Sequence, residues 1–124
     1  MAKILVIDDN AEHREVLTIL LSMHNHTIEC TATGNEIHTI IVDFKPALIL
    51  LDVFLTGEDG RDLCADIKKR HKHIPIILLS AAYQILQNFT GDCADAKIDK
   101  PFDINYLVNE INDTLKGQYK ATAS

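Results

Sequence analysis

Four stretches of the chain end in side chains that could bind a cation or a phosphoryl group. They end at Asp8-Asp9, Asp52, Ser80 and Lys100-Pro101, and an aliphatic run precedes each of the first three. If these runs are parallel strands, their carboxyl ends open on one edge, where open α/β sheets bind ligands. Three carboxylates, a hydroxyl and an ammonium would then share one crevice. This set suits a divalent cation beside a phosphoryl group.

The acidic residues would repel one another if all of them stood close together and ionised. Such crowding is relieved by proton uptake or by a bound cation, and Mg²⁺ prefers oxygen ligands while it keeps several waters. The alternative for Asp8-Asp9-Asn10 is helix capping, because Asp and Asn are good N-cap residues. We expect one of these residues to cap the following helix, and the acid pair alone favours neither interpretation.

The other strand-end residues have chemical roles that depend on this acidic pair. Beside a metal, the carboxylate of Asp52 could act as a nucleophile and accept a phosphoryl group as an acyl phosphate. Lys100 would neutralise charge during such a transfer, although most loop lysines are simply solvated. Ser80 could hydrogen-bond a phosphoryl oxygen, although taken singly it is only a strand-end hydroxyl.

The elements that must position these residues alternate between strand and helix. Runs of Ile, Val and Leu without polar alternation are typical of strands buried on both faces. Apolar residues at helical spacing predict the helices, including a short one over Tyr83–Phe89 and a last one that ends at Gly117. We therefore predict an α/β fold, a doubly wound five-stranded parallel sheet with helices on both faces. The strands are predicted at residues 4–7, 27–31, 48–51, 76–79 and 96–99, the domain at 1–117 and a frayed tail at 118–124.

Composition narrows the class of protein. The chain has 124 residues, of which 47% are hydrophobic and 24% charged, as in a soluble globular domain. A formal net charge of −6 argues against nucleic acid as the main partner. No apolar run is long enough for a membrane span, and the first residues lead directly into a strand. The three cysteines are predicted to be reduced and mostly buried, and a cytoplasmic location is expected.

In order along the chain, the motifs resemble those of the receiver domain of two-component response regulators, of the single-domain, chemotaxis-regulator-like kind. The resemblance covers nearly the whole length and implies the flavodoxin-like form of the fold. Each motif is weak alone, but all of them in order at strand ends are highly specific. They are Asp8-Asp9, Asp52 after two leucines, Asp59-Gly60, Ser80-Ala81 and Lys100-Pro101-Phe102.

The resemblance implies a role for each site residue. Asp52 would be phosphorylated by a histidine kinase or a histidine phosphotransfer protein, and a downstream protein target would read the result. Mg²⁺ would be bound by Asp9, Asp52 and the backbone carbonyl of Phe54, with Asp8 acting through water. Lys100 would contact the phosphoryl group, and Ser80 would turn inward to bind it. The family catalyses only its own phosphorylation and dephosphorylation, so it is not an enzyme in the usual sense. No direct contact with nucleic acid or membrane is implied.

Three positions depart from the family pattern. Lys97 stands in the last strand where the family usually has an aromatic residue, whose rotation follows the inward move of the hydroxyl residue. Thr56 replaces the usual proline four residues after the acceptor and predicts a more mobile loop. The segment between Ser80 and Lys100 is about two residues shorter than is usual in the family, which would trim the fourth helix. We therefore hypothesise that the domain is phosphorylated normally but signals through a surface other than its last helices and strand.

Three rival functions are less consistent with the motifs. A receiver-like interaction module that works without phosphorylation would normally lose part of the acid–lysine set. A flavodoxin-type cofactor binder needs a phosphate loop after the first strand, where Asp8-Asp9 would repel the anion. A phosphohydrolase with an aspartyl nucleophile usually carries a second acid where Phe54 stands. The chain could equally be a receiver domain that belongs to a hybrid histidine kinase.

Overall fold

The structure is a computed structural model that describes residues 2–80, 93–100 and 102–123, with only the backbone described for 118–123. The short helix predicted over Tyr83–Phe89, and the motif residues Ala81 and Pro101, lie outside the described residues. The strands are β1 (Lys3–Ile7), β2 (Thr27–Thr31), β3 (Leu48–Asp52), β4 (Phe54–Leu55), β5 (Glu58–Asp59), β6 (Ile76–Ser80) and β7 (Ala96–Asp99). The helices are α1 (Ala11–Met23), α2 (Ile37–Phe44), α3 (Gly60–Arg70) and α4 (Ile104–Ala123).

Five of the strands form one parallel sheet in the order β2-β1-β3-β6-β7. The register pairs Ile4 with Leu48 and Ile49 with Ile76. Every residue of β3 and β6 is buried, as expected when helices cover both faces of a parallel sheet. The predicted fold class is confirmed, and because the strands are parallel, their carboxyl ends share one edge.

The core has two layers because successive strand residues point to opposite faces of the sheet. One layer joins the sheet to α2 and α3, and the other joins it to α1 and α4. The first layer includes Leu5, Ile7, Ile49, Leu51, Ile41 and Ile67, and the second includes Ile4, Val6, Leu48, Leu50, Leu21 and Ile111. This packing fixes the strands that carry the motif residues.

Two local predictions differ from the structure. The loop expected at Thr56 is flanked by two short strands, β4 and β5, which pair as an antiparallel hairpin that turns at Gly57, whose φ of +79° suits glycine. The last helix does not end at Gly117 but runs to Ala123. A helical glycine costs only about 1 kcal/mol relative to alanine, and good helix formers follow it. The division into a domain at 1–117 and a frayed tail at 118–124 stays a prediction.

The cysteines are free thiols, as predicted. Cys64 and Cys93 are buried and Cys30 is partly exposed. Burial, together with a hydrogen bond to Cys93, raises the pKa of the Cys64 thiol well above its ordinary value. Within the ranges that the structure describes, no helix has the length and apolar character that crossing a bilayer requires.

Candidate functional site

Three carboxylates meet at the carboxyl edge of the sheet. Asp8 and Asp9 directly follow β1, and Asp52 is the last residue of β3, the neighbouring strand. Each carboxylate offers an oxygen within 4.8 Å of the other two. Asp8 is 1% exposed and Asp52 is 7% exposed, so water screens their charges poorly. The structure therefore brings together the acidic residues that the sequence placed at two separate strand ends.

Lys100 lies between the two buried carboxylates. Its Nζ is 3.0 Å from Asp8 Oδ2 and 3.4 Å from Asp52 Oδ2, and its side chain is only 12% exposed. The Lys100 backbone N–H donates to the carbonyl of Ser80 over 2.7 Å, which fixes the residue where β6 and β7 end. A single ammonium thus faces two buried carboxylates, and Asp9 adds a third negative charge nearby.

The start of α1 holds Asp8 in place. Asn10 caps the helix, and its side chain accepts hydrogen bonds from the backbone N–H groups of Glu12 and His13. The Asn10 N–H in turn donates to Asp8 Oδ1 over 2.9 Å. The expectation that one residue of Asp8-Asp9-Asn10 caps the helix is therefore confirmed for Asn10, which leaves both carboxylates to the site.

His13 is a neighbour of the site that the sequence did not single out. Its Nδ1 lies 3.2 Å from Lys100 Nζ and 3.4 Å from Asp8 Oδ2, and its side chain is 48% exposed. The signal available in the sequence is its position in the first turn of the helix that follows Asp8-Asp9. A side chain in that turn lies close to the end of the preceding strand.

The electrostatics of Asp52 reflect its crowded position. Burial raises the pKa of this carboxyl, the charge of Lys100 opposes that effect, and the charge of Asp8 adds to it. The Phe54 backbone N–H donates to Asp52 Oδ1 over a long 3.3 Å. The net direction is upward, so one lysine does not fully compensate the buried negative charge.

Asp9 is held by Thr56, a contact that the sequence did not predict. Asp9 Oδ2 accepts from the Thr56 backbone N–H at 2.8 Å and from its hydroxyl at 2.5 Å. The hydroxyl contact is the main cause of a lowered Asp9 pKa. A proline at position 56 would offer neither donor. Thr56 thus links the turn between β4 and β5 to the site through two hydrogen bonds, and the greater mobility expected from its replacing proline stays a prediction.

The remaining motif residues surround this centre. Ser80 is fully buried at the end of β6, in register with Asp99 of β7. Phe54 begins the hairpin two residues after Asp52, with its side chain 48% exposed. A Cβ atom on Gly60 would lie 2.7 Å from Val53 Cα, so the Asp-Gly motif at the start of α3 requires glycine. This close approach brings the start of α3 against the end of β3.

The donor set fits a hard divalent cation. All ligand atoms of the cluster are carboxylate oxygens, the donors that Mg²⁺ prefers. Two of the carboxylates are buried, and among the residues that the structure describes only the Lys100 ammonium forms an ion pair with both of them, so a bound cation would relieve the excess negative charge. Such an arrangement can hold a cation beside a nucleophilic carboxylate.

Comparison with known proteins gives a consistent result. The model of the response regulator receiver domain family matches residues 4–112. The response regulator TrrA from Thermotoga maritima, in complex with Mg²⁺ and beryllofluoride, is 27% identical with a TM-score of 0.84, and the match covers 92% of this chain and 99% of that chain.

Two further solved structures are similar over most of both chains. A CheY-like receiver domain protein from Methanospirillum hungatei is 25% identical with a TM-score of 0.89, and the match covers 98% of each chain. The receiver domain of a signal transduction histidine kinase from Syntrophus aciditrophicus is 28% identical with a TM-score of 0.81, covering 94% of this chain and 92% of that chain.

Proposed function

The chain belongs to the response regulator receiver domain family, and we propose that it is a signalling switch that accepts a phosphoryl group on Asp52. The observation that carries this proposal is the placement of Lys100 Nζ within 3.0 Å of Asp8 and 3.4 Å of Asp52 in a cluster of three carboxylates. A carboxylate nucleophile needs a cation and a positive side chain at the transferred group. Here the carboxylate cluster would bind the cation and Lys100 would be the positive side chain, both at one edge of the sheet.

Mg²⁺ is the cation that we assign to this centre. Asp9 and Asp52 would bind it directly with the backbone carbonyl of Phe54, and Asp8 would act through water. When bound, the ion would neutralise charge on the transferred phosphoryl oxygens. The Mg²⁺–beryllofluoride complex of TrrA supports this choice of ion.

Transfer needs only a few groups from the chain itself. A carboxylate oxygen of Asp52 would attack the phosphorus of a phosphohistidine, a new O–P bond would form, and the P–N bond would break, leaving the imidazole. Lys100 is near enough to Asp52 to meet the incoming charge, at 3.4 Å. Ser80 would bind a phosphoryl oxygen after transfer, which requires movement because its side chain is buried.

Thr56 adds a condition to metal binding. Asp9 Oδ2 is already engaged by two donors of Thr56, so a cation that takes this oxygen must compete with them. The same contacts couple the acceptor loop to Asp9. Loop position and metal binding are therefore linked in this chain.

The output of the switch is proposed to differ from the aromatic mechanism of the family. Lys97 is exposed in the middle of β7, where the family usually has an aromatic residue. A lysine on an outer strand also discourages pairing with another sheet. We keep the hypothesis that partners read another surface, and an interface mapped onto β7 and α4 would contradict it.

The partners and setting complete the proposal. A histidine kinase or histidine phosphotransfer protein would donate the phosphoryl group, a protein target would receive the signal, and the location would be cytoplasmic. The match to a receiver domain of a histidine kinase keeps open that this chain is the corresponding piece of a hybrid kinase. A receiver-like module that works without phosphorylation is the alternative function.

Beryllofluoride, an analogue of an acyl phosphate, tests the proposal. We expect Mg²⁺ and beryllofluoride together to raise the melting temperature of the wild type more than either alone, and to have no such joint effect on Asp52→Asn. Asp43→Asn is the control, because Asp43 is an exposed acid on α2. Equal responses of wild type and Asp52→Asn would count against Asp52 as the acceptor.

A further inference from the structure

We propose that His38 and His71 form a binding site for a divalent transition metal of the zinc class. His38 lies in the first turn of α2, and His71 caps the C-terminal end of α3. Neither residue belongs to the acidic cluster, so the site would be independent of the phosphoryl chemistry.

The two rings face each other through nitrogen atoms. His38 Nδ1 lies 3.1 Å from His71 Nε2, and the ring centroids are 5.3 Å apart with an angle of 25° between the planes. In a tetrahedral zinc site with Zn–N bonds of about 2.05 Å, two ligand nitrogens lie about 3.3 Å apart. The observed separation is therefore close to that of a chelate. Because the two nitrogens point at each other, each ring would have to turn by about 35° to aim its nitrogen at one tetrahedral ion.

A carboxylate orients the first of these rings. Asp66 Oδ2 lies 2.9 Å from His38 Nε2, the nitrogen that faces away from His71. If Nε2–H donates to Asp66, Nδ1 carries the lone pair that a metal requires. Metal-ligating histidines commonly donate their other N–H to a carboxylate in this way, which fixes the tautomer and makes the ring more basic.

The second ring can supply its lone pair without breaking the fold. With Nδ1 of His38 as acceptor, Nε2 of His71 donates in the metal-free protein. Moving that hydrogen to the other ring nitrogen of His71 frees Nε2 for the metal. Imidazole suits Zn²⁺, Cu²⁺ and Ni²⁺ better than it suits Mg²⁺. The pair would thus select a different class of ion from the acidic cluster.

Water can complete the coordination. The His38 side chain is 24% exposed, and that of Asp66 is 50% exposed. An open depression of about 260 Å³, lined by His38, Thr39, Val42 and Asp43, adjoins the His38 ring. Solvent therefore reaches His38, and a metal with two protein ligands could take waters as its others.

Nuclear magnetic resonance and a zinc competition assay test this site. Ring ¹⁵N resonances of the wild-type protein are followed during addition of Zn²⁺ with excess Mg²⁺ present to occupy the acidic cluster. Zinc affinity is measured against a chromogenic chelator for wild type, His38→Gln, His71→Gln and Asp66→Asn. His24→Gln is the control, because His24 caps α1, on the other face of the sheet.

The ring resonances of His38 and His71 should shift together, before those of other histidines. Asp66→Asn should weaken zinc binding at least about tenfold, and each histidine variant should weaken it more, while His24→Gln leaves it unchanged. The ring measurement needs no variant, so a variant that fails to fold does not decide the outcome. Unchanged affinity in both His38→Gln and His71→Gln, or ring shifts no larger than that of His24, would overturn the proposal.

Discussion

Replacement of Lys100 by methionine tests whether the lysine holds the acidic centre together. Methionine keeps an unbranched stem and removes the charge, which leaves Asp8 and Asp52 facing each other without their ammonium. Lys100 Nζ lies 3.0 Å from the first carboxylate and 3.4 Å from the second. At an effective dielectric constant of about 20, each pair has a gross attraction of about 5 kcal/mol.

Most of that attraction is offset by the cost of removing charges from water. Deleting one partner of a buried ion pair typically costs about 3–5 kcal/mol, because the remaining charge stays buried. The Lys100 side chain keeps 12% of its exposure, which favours the lower end. We expect the free energy of unfolding of Lys100→Met at pH 7 to be about 3 kcal/mol lower than that of wild type. For a domain of this size, its melting temperature should be about 10 °C lower.

The loss should depend on pH in a defined direction. Burial raises the pKa of Asp52, while Lys100 lowers it. The folded protein therefore binds this proton more tightly than the unfolded chain, and the free energy of unfolding falls as pH rises through the raised pKa. Without Lys100 the pKa of Asp52 rises further. The difference in free energy of unfolding between Lys100→Met and wild type should thus be smallest at acidic pH and largest above pH 7.

Urea denaturation with and without Mg²⁺ measures these effects. The midpoint should fall without a change in slope, and Mg²⁺ should stabilise Lys100→Met more than wild type, because the ion supplies the missing positive charge. Lys69→Met, at an exposed site at the end of α3, should change stability by no more than about 0.5 kcal/mol. If Lys100→Met costs no more than this control, the electrostatic account of the centre is wrong.

Other substitutions test single contacts by urea denaturation. Thr56→Val removes the hydroxyl hydrogen bond to Asp9 and should lower the free energy of unfolding by up to about 1 kcal/mol. Because that bond lowers the Asp9 pKa, the difference from wild type should be present at pH 7 and should vanish as pH falls through that pKa. A null effect at pH 7, or an equal cost from Thr56→Ser, would contradict this. Gly60→Ala places a Cβ 2.7 Å from Val53 Cα and should cost about 3 kcal/mol or more. In Gly117→Ala the new Cβ has no neighbour within 4 Å, so this substitution should raise the free energy of unfolding by about 0.5–1 kcal/mol. If Gly60→Ala and Gly117→Ala change stability to a similar extent, the steric explanation is wrong.

The sheet could be predicted because its strands carry a strong local signal. Unbroken runs such as Leu48–Leu51 and Ile76–Leu79 are buried on both faces, and few other elements of that length have this pattern. Parallel pairing then places the residues that follow each run at one edge. The meeting of Asp8, Asp9 and Asp52 follows from topology, without knowledge of any side-chain contact.

Contacts between distant segments could not be predicted in this way. Thr56 and Asp9 are 47 positions apart, and His38 and His71 are 33 apart. No local period or motif links such pairs, since their distance depends on how loops and helices pack. The end of the last helix was missed for a different reason, because Gly117 is a stop signal only when the backbone there turns left-handed.

Intact-protein mass spectrometry after incubation with phosphoramidate and Mg²⁺ tests the central claim most directly. We expect wild type and the control Asp43→Asn to gain the mass of one phosphoryl group, and Asp52→Asn to gain none. Omission of Mg²⁺ should slow or abolish the gain in wild type. The same phosphoryl gain in wild type and Asp52→Asn, or no gain in wild type, would contradict the assignment of Asp52 as the phosphoryl acceptor.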